Sequence, residues 1–121
     1  MGTAYGIAFS GSRFLMVYNE KRNGWEMPGG TVEEQEECPE EAVMREFFEE
    51  AGYDIEVLAC KNIGHCCVCA CILLRRLNDS PEMRSELFSE LPEKLAFDRS
   101  EYELVIPWAR SAVASFIIQN G

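Results

Sequence analysis

A mixed α/β or α+β fold is predicted by three features of the sequence. Two β-rich runs, TAYGIAF (residues 3 to 9) and RFLMVYN (13 to 19), flank the turn SGS. A segment bounded by Pro39 and Gly52 has the start and stop residues of a helix. A last helical stretch follows Ser100. With 121 residues the chain suits one domain spanning 1 to 121, large enough to bury roughly two-thirds of its unfolded surface.

In chain order, the first two runs form a hairpin, and NEKRNGWEMPGG follows as a turn-rich loop ending in Pro28, Gly29 and Gly30. Paired glycines permit positive φ and close approach by another group, giving a loop with a backbone-lined floor. Residues 39 to 51 form the first helix. DIEVLACKNIGHCCVCACILLRR then reads as two strands with a break at Asn62-Ile63-Gly64, and a short strand is expected near Leu87. Ser100 with Glu103 reads as a capping box opening a helix to about Gln119, and Pro107 is expected to kink or interrupt it. There are no repeats and no low-complexity tail.

Composition narrows the partners. Eleven basic against 21 acidic residues give a net charge of −10, which disfavours nucleic-acid polymers and anionic membranes. An anionic ligand would need a bridging cation. No apolar run reaches the length of a membrane span, and the first residues lack the basic-then-apolar pattern of a secretory signal, so a cytoplasmic protein is expected. Gly6 spoils a myristoylation pattern. The six cysteines, five of them between Cys60 and Cys71, suit reduced thiols better than a secreted disulfide scaffold.

The segment REFFEEAGY (45 to 53) crowds three glutamates into the last turns of the first helix. Negative charge there opposes the helix dipole, and Glu46 repels Glu50 at i,i+4. At roughly 100° per residue, Ala42, Glu46, Glu49, Glu50 and Tyr53 share one side, while Val43, Met44, Phe47, Phe48 and Ala51 fill the adjoining arc. The carboxylates thus border the buried face at the rim of a cleft. Close carboxylates in such a place either shift their pKa values upward or share a cation, and oxygen donors without nearby His or Cys favour Mg²⁺ or Mn²⁺.

From Glu37, seven residues lead to Arg45-Glu46, then Phe47, any residue, Glu49-Glu50, any residue, Gly52 and Tyr53. This spacing resembles the box of the Nudix hydrolase family in eight of nine fixed positions. It departs at the first glycine, which stands at Gly30 instead of position 31, leaving one extra residue expected in the Glu33 to Glu36 turn. WEMPGG also resembles the family's lead-in, and the element order suits its α/β/α sandwich with a mixed sheet between helices. The resemblance implies Mg²⁺- or Mn²⁺-dependent hydrolysis of the pyrophosphate bond of a nucleoside diphosphate linked to another moiety: a nucleoside triphosphate, a nucleotide sugar or a dinucleoside polyphosphate. A non-catalytic nucleotide sensor on the same fold is the alternative, as a monomer or homodimer in either case.

Carried over by residue, the resemblance implies Glu49 and Glu50 as main metal ligands and Glu46 as a further ligand or base. It also implies a backbone carbonyl of Gly29 or Gly30 on the metal, and Arg45 paired to Glu37 to orient the carboxylates. Arg22 and Trp25 are candidate substrate contacts, although Trp25 suits a core role better. Glu101 or Glu103 is a candidate accessory base, with capping the simpler role for Glu103. GHCCVCAC with His65 invites a zinc or redox reading. In a strand, however, Cys67, Cys69 and Cys71 face one way and Cys66 the other, without a second ligand pair at zinc-finger spacing, so buried core thiols are expected.

Overall fold

A computed structural model of the chain describes residues 2 to 33 and 38 to 120. Nine elements follow in order: β1 (Thr3–Ser10), β2 (Arg13–Asn19), β3 (Gly24–Glu26), β4 (Gly29–Thr31), α1 (Pro39–Glu50), β5 (Tyr53–Ile63), β6 (Cys66–Arg76), β7 (Ser85–Phe88) and α2 (Arg99–Asn120). The strands form one mixed sheet with the path β3-β2-β1-β6-β5, on which β4 joins β1 and β7 joins β2. Among the described strands, β1 and β6 pair in parallel and the other strand pairs are antiparallel. The expected turns sit at Gly11 and Gly64, both with left-handed φ.

Alternation along the strands sends side chains to two cores, one on each face of the sheet. On one face Ile7, Phe9, Phe14, Met16 and Val68 pack with Tyr102, Val105, Ile106 and Ala109 of α2. On the other, Ala4, Ala8, Leu15, Val17, Cys67, Cys69 and Cys71 pack with Val43 and Phe47 of α1. The architecture is therefore an α+β sandwich with one helix on each side. Gly6 makes the close packing of α1 possible: a Cβ there would stand 2.7 Å from Val43 Cγ1 and 2.9 Å from Phe47 Cε2. Phe47 and Val43 are fully buried, each stabilising the fold by about 1.5–3 kcal/mol.

The buried stripe of α1 is narrower than the sequence suggests. Met44 and Phe48 are each 44% exposed, whereas Glu50 is only 7% exposed. Contact with the sheet runs through Ala42, Val43, Phe47 and Glu50, and turns the neighbouring apolar residues outward. The helix ends as expected, with Gly52 at φ 84° donating its N–H to the Phe47 and Phe48 carbonyls.

For α2 the expected cap needs correction, and of the kink or interruption expected at Pro107 the interruption does not occur. Its cap is Asp98, whose Oδ1 accepts the Ser100 N–H at 3.0 Å, so Ser100 sits inside the first turn and is not the capping residue. Hydrogen bonding from Ser100 holds the Asp98 carboxyl below its usual pKa. The helix also runs without interruption through Pro107, whose ring faces solvent. Burial of Val105, Ile106 and Ala109 on either side outweighs the single lost backbone bond. Among the described residues no helix is long and apolar enough to cross a membrane.

Candidate active site

One edge of β1 is shared by two partners. Phe9 and Ser10 pair with β2, whereas Thr3 to Tyr5 pair with β4. A cavity of about 650 Å³ lies beside this change of partner, with Tyr5, Glu26, Gly29, Gly30 and Glu50 in its wall and the start of α2 across from them. Its described lining carries four acids, Glu26, Glu50, Asp98 and Glu101, against one base, Arg22.

The last turn of α1 delivers Glu46 and Glu50 to β4. Glu50 Oε1 accepts the Gly29 N–H at 3.1 Å. The Glu46 carboxylate lies across Gly30 so closely that a Cβ on Gly30 would collide with its Oε2. This bare backbone is the physical use of the glycine pair. Burial, and then the charges of Glu46, Glu26 and Glu82, push the Glu50 carboxyl up to about 8 against the opposing pull of the Gly29 N–H. Glu26 is also raised, chiefly by burial, although Asn19 at 3.1 Å and Arg22 at 3.7 Å favour its charged form.

Glu49 stands further out, with its side chain 42% exposed. Arg45 Nη1 reaches Glu49 Oε1 at 3.1 Å and Glu46 Oε2 at 3.5 Å, and Nη2 reaches Glu33 at 3.6 Å and the Thr31 carbonyl at 3.4 Å. One guanidinium thus spans β4 and two of the box glutamates, a use of its planar fork. The expected pairing of Arg45 with Glu37 lies outside the described residues, as does most of the turn expected to absorb the extra residue.

The remaining sequence candidates separate clearly. Arg22 lines the cavity, with its guanidinium 4.5 Å from the Phe97 ring centroid. Trp25 is absent from the described lining. It packs edge-on against Tyr18 and Phe88 at 5.2 and 4.9 Å, the core role that its size favours. Glu101 does reach the cavity and accepts a 2.7 Å hydrogen bond from Tyr5 Oη, whereas Glu103 is exposed and outside it.

Sequence reasoning passed over Glu26, Tyr5 and Tyr102. Tyr102 Oη accepts the Met27 N–H at 3.1 Å and so fixes the loop ahead of β4. The one available signal was an acid inside the apolar run around WEM; the tyrosines carried none, because β1 and α2 meet only in the fold.

The donors fit a hard divalent cation. They are all oxygens, two of the carboxylates converge on a glycine backbone, and their mutual repulsion is what a bound cation would relieve.

A family model described as NUDIX domain matches residues 2–102. A comparison with curated proteins finds none that matches. Among solved structures, the chain is similar to a UDP-X diphosphatase at 18% identity and a TM-score of 0.69, over 85% of this chain but only 59% of that one. It is similar to an ADP-ribose pyrophosphatase from Streptococcus suis at 23% identity and 0.65, covering 82% of this chain and 83% of that one. The Bacillus subtilis pyrophosphohydrolase BsRppH is 25% identical with a TM-score of 0.69, over 94% of this chain and 81% of that one. With the family match over most of its length and the sandwich that these structures share, the chain belongs to the Nudix family.

Proposed function

We propose that the chain, a Nudix pyrophosphohydrolase by family, cleaves the pyrophosphate bond of a nucleoside diphosphate linked to a further group, with Mg²⁺ or Mn²⁺ held by Glu46, Glu49 and Glu50. The observation that carries this reading is the acidic cavity meeting the Glu46 and Glu50 carboxylates at Gly29 and Gly30. A polyanion would be repelled from four acids and one arginine unless a cation stood between them.

When bound, the ion supplies charge neutralisation of the pyrophosphate oxygens and a water of lowered pKa. The chain's own residues supply the rest. The Gly29 N–H fixes the rotamer of Glu50, and Arg45 holds Glu49 and Glu46 in register with β4. The Gly30 carbonyl is the backbone candidate for a further ligand. Arg22, stacked on Phe97, presents the cavity's cation to the anionic substrate. Glu46, lying against Gly30, is the candidate base, and Glu101, steadied by Tyr5, is a further acid in the cavity wall.

The neighbours named for ADP-ribose and UDP-X point to a nucleotide joined to a second group as the substrate class. Screening a panel of nucleoside triphosphates, nucleotide sugars and dinucleoside polyphosphates for phosphate or monophosphate release, with and without Mg²⁺, tests the proposal. Mg²⁺-dependent release from at least one class is expected. Tight nucleotide binding with no release from any of them would replace the enzyme with a sensor.

A further inference from the structure

Outside that cavity, on the face covered by α1, three thiols converge. Cys67 and Cys69 alternate onto one face of β6, and Cys60 of β5 is the direct cross-strand partner of Cys69. The Sγ atoms of Cys60, Cys67 and Cys69 all lie within 4.8 Å of one another, and those of Cys60 and Cys69 are 2.8 Å apart. Cys67 and Cys69 are buried, whereas Cys60 is exposed on the edge strand. We propose that Cys60, Cys67 and Cys69 form a binding site for a thiophilic divalent cation of the Zn²⁺ or Cd²⁺ type, separate from the carboxylate site.

With metal–sulfur bonds of about 2.3 Å, three sulfurs around one ion stand about 4 Å apart, a spacing this cluster can reach. The Cys60–Cys69 contact must open, by about 1 Å, and Cys60 has room to rotate because it faces solvent. Its exposure also supplies an entry path and leaves a fourth position for water. The donors are all soft, so the site selects against Mg²⁺ as firmly as the carboxylate cluster selects for it. The Glu40 carboxylate, in the first turn of α1, acts on Cys60 through its charge. That charge favours a cation beside the thiols. A Cys60–Cys69 disulfide is the competing fate of the close pair, but it would need an added oxidant such as a peroxide and would give the approach of Cys67 no role.

The sequence could not present this site, because its third ligand comes from the neighbouring strand. Cys66, from the same run, turns to the opposite face and lines the nucleotide cavity instead.

The test titrates the full reduced chain with Cd²⁺ in excess Mg²⁺, following the sulfur-to-cadmium charge-transfer band, with Zn²⁺ as competitor. One equivalent should saturate the band, and Zn²⁺ should displace it. Cys60→Ser should lower the affinity at least about tenfold and the band by about a third, since one of three thiolates is lost. Cys66→Ser and Cys71→Ser should leave both unchanged. Cys60 is exposed, so its variant decides the matter even where Cys67→Ser or Cys69→Ser fails to fold. Absence of the band at one equivalent, or equal losses in Cys66→Ser and Cys60→Ser, overturns the proposal. So does failure of the reduced chain to bind Cd²⁺ while peroxide links Cys60 to Cys69 with loss of two hydrogens. Because the readout contains no nucleotide, failure here leaves the pyrophosphohydrolase reading untouched.

Discussion

Two regions of the molecule solve opposite problems with titratable groups. At the cavity and its rim, Glu46, Glu50 and Glu26 are brought close together although their charges repel, and burial, then that repulsion, raises the Glu50 carboxyl to about 8. Under α1, Cys69 and Cys71 lie among apolar side chains, and burial first, then the nearby Cys60 thiol, pushes their thiols upward strongly enough to keep them neutral. The carboxylates are costly unless a cation joins them; the thiols are stable neutral fillers of the core with or without one. Ordinary packing therefore explains Cys71, whereas packing gives no reason for three glutamates at the end of a helix.

Breaking the carboxylate side should have the largest effect. Glu50→Gln and Glu49→Gln are each expected to lower turnover at least about tenfold with the fold intact, Glu50→Gln the more severely, because an amide is a poor ligand for a hard cation. Steady-state rates at saturating Mg²⁺ beside circular dichroism check this, and unchanged rates would remove both from the ligand set. Gly30→Ala follows: its Cβ would displace the Glu46 carboxylate, so Mg²⁺ affinity should fall by roughly fivefold to tenfold while thermal stability changes little. Equal Mg²⁺ affinities in the variant and the parent chain would place the ion elsewhere.

A smaller effect sharpens the electrostatic half of the comparison. The Glu50 carboxyl is raised in the fold above its ordinary 4.5, so the metal-free native state holds more protons than the unfolded chain between those values. Its contribution is therefore harmless below about pH 4.5 and destabilising as pH rises toward 8. Denaturation in EDTA should show stability declining across that window, and Glu50→Gln should flatten the decline. A decline of the same slope in the variant would assign it to other groups. The smallest effect belongs to the thiol side. Capping exposed Cys60 with a thiol reagent, or adding a zinc-selective chelator, should change nucleotide turnover by less than about twofold, because none of the three thiols lines the cavity. Loss of most activity on capping would couple the two faces.

Periodicity and turn chemistry by themselves determined most of the secondary structure. β1, β2, the β5–β6 hairpin, α1 and even β7 stand where alternation, Pro39 and the glycines put them. The box spacing likewise put Glu46, Glu49 and Glu50 toward one side of the helix, because i,i+3 and i,i+4 offsets on one helix are a local property. Tertiary structure decided everything that depends on contact between distant segments. It chose Glu50 over Met44 and Phe48 for the buried stripe, since helix orientation follows from how α1 seats on Gly6. It gave Trp25 to the core and Arg22 to the cavity, joined Tyr5 to Glu101 across 96 positions, and made Asp98 the cap of α2. It also brought Cys60 to Cys69, because strand register is set by the whole ladder and not by either strand's residues alone.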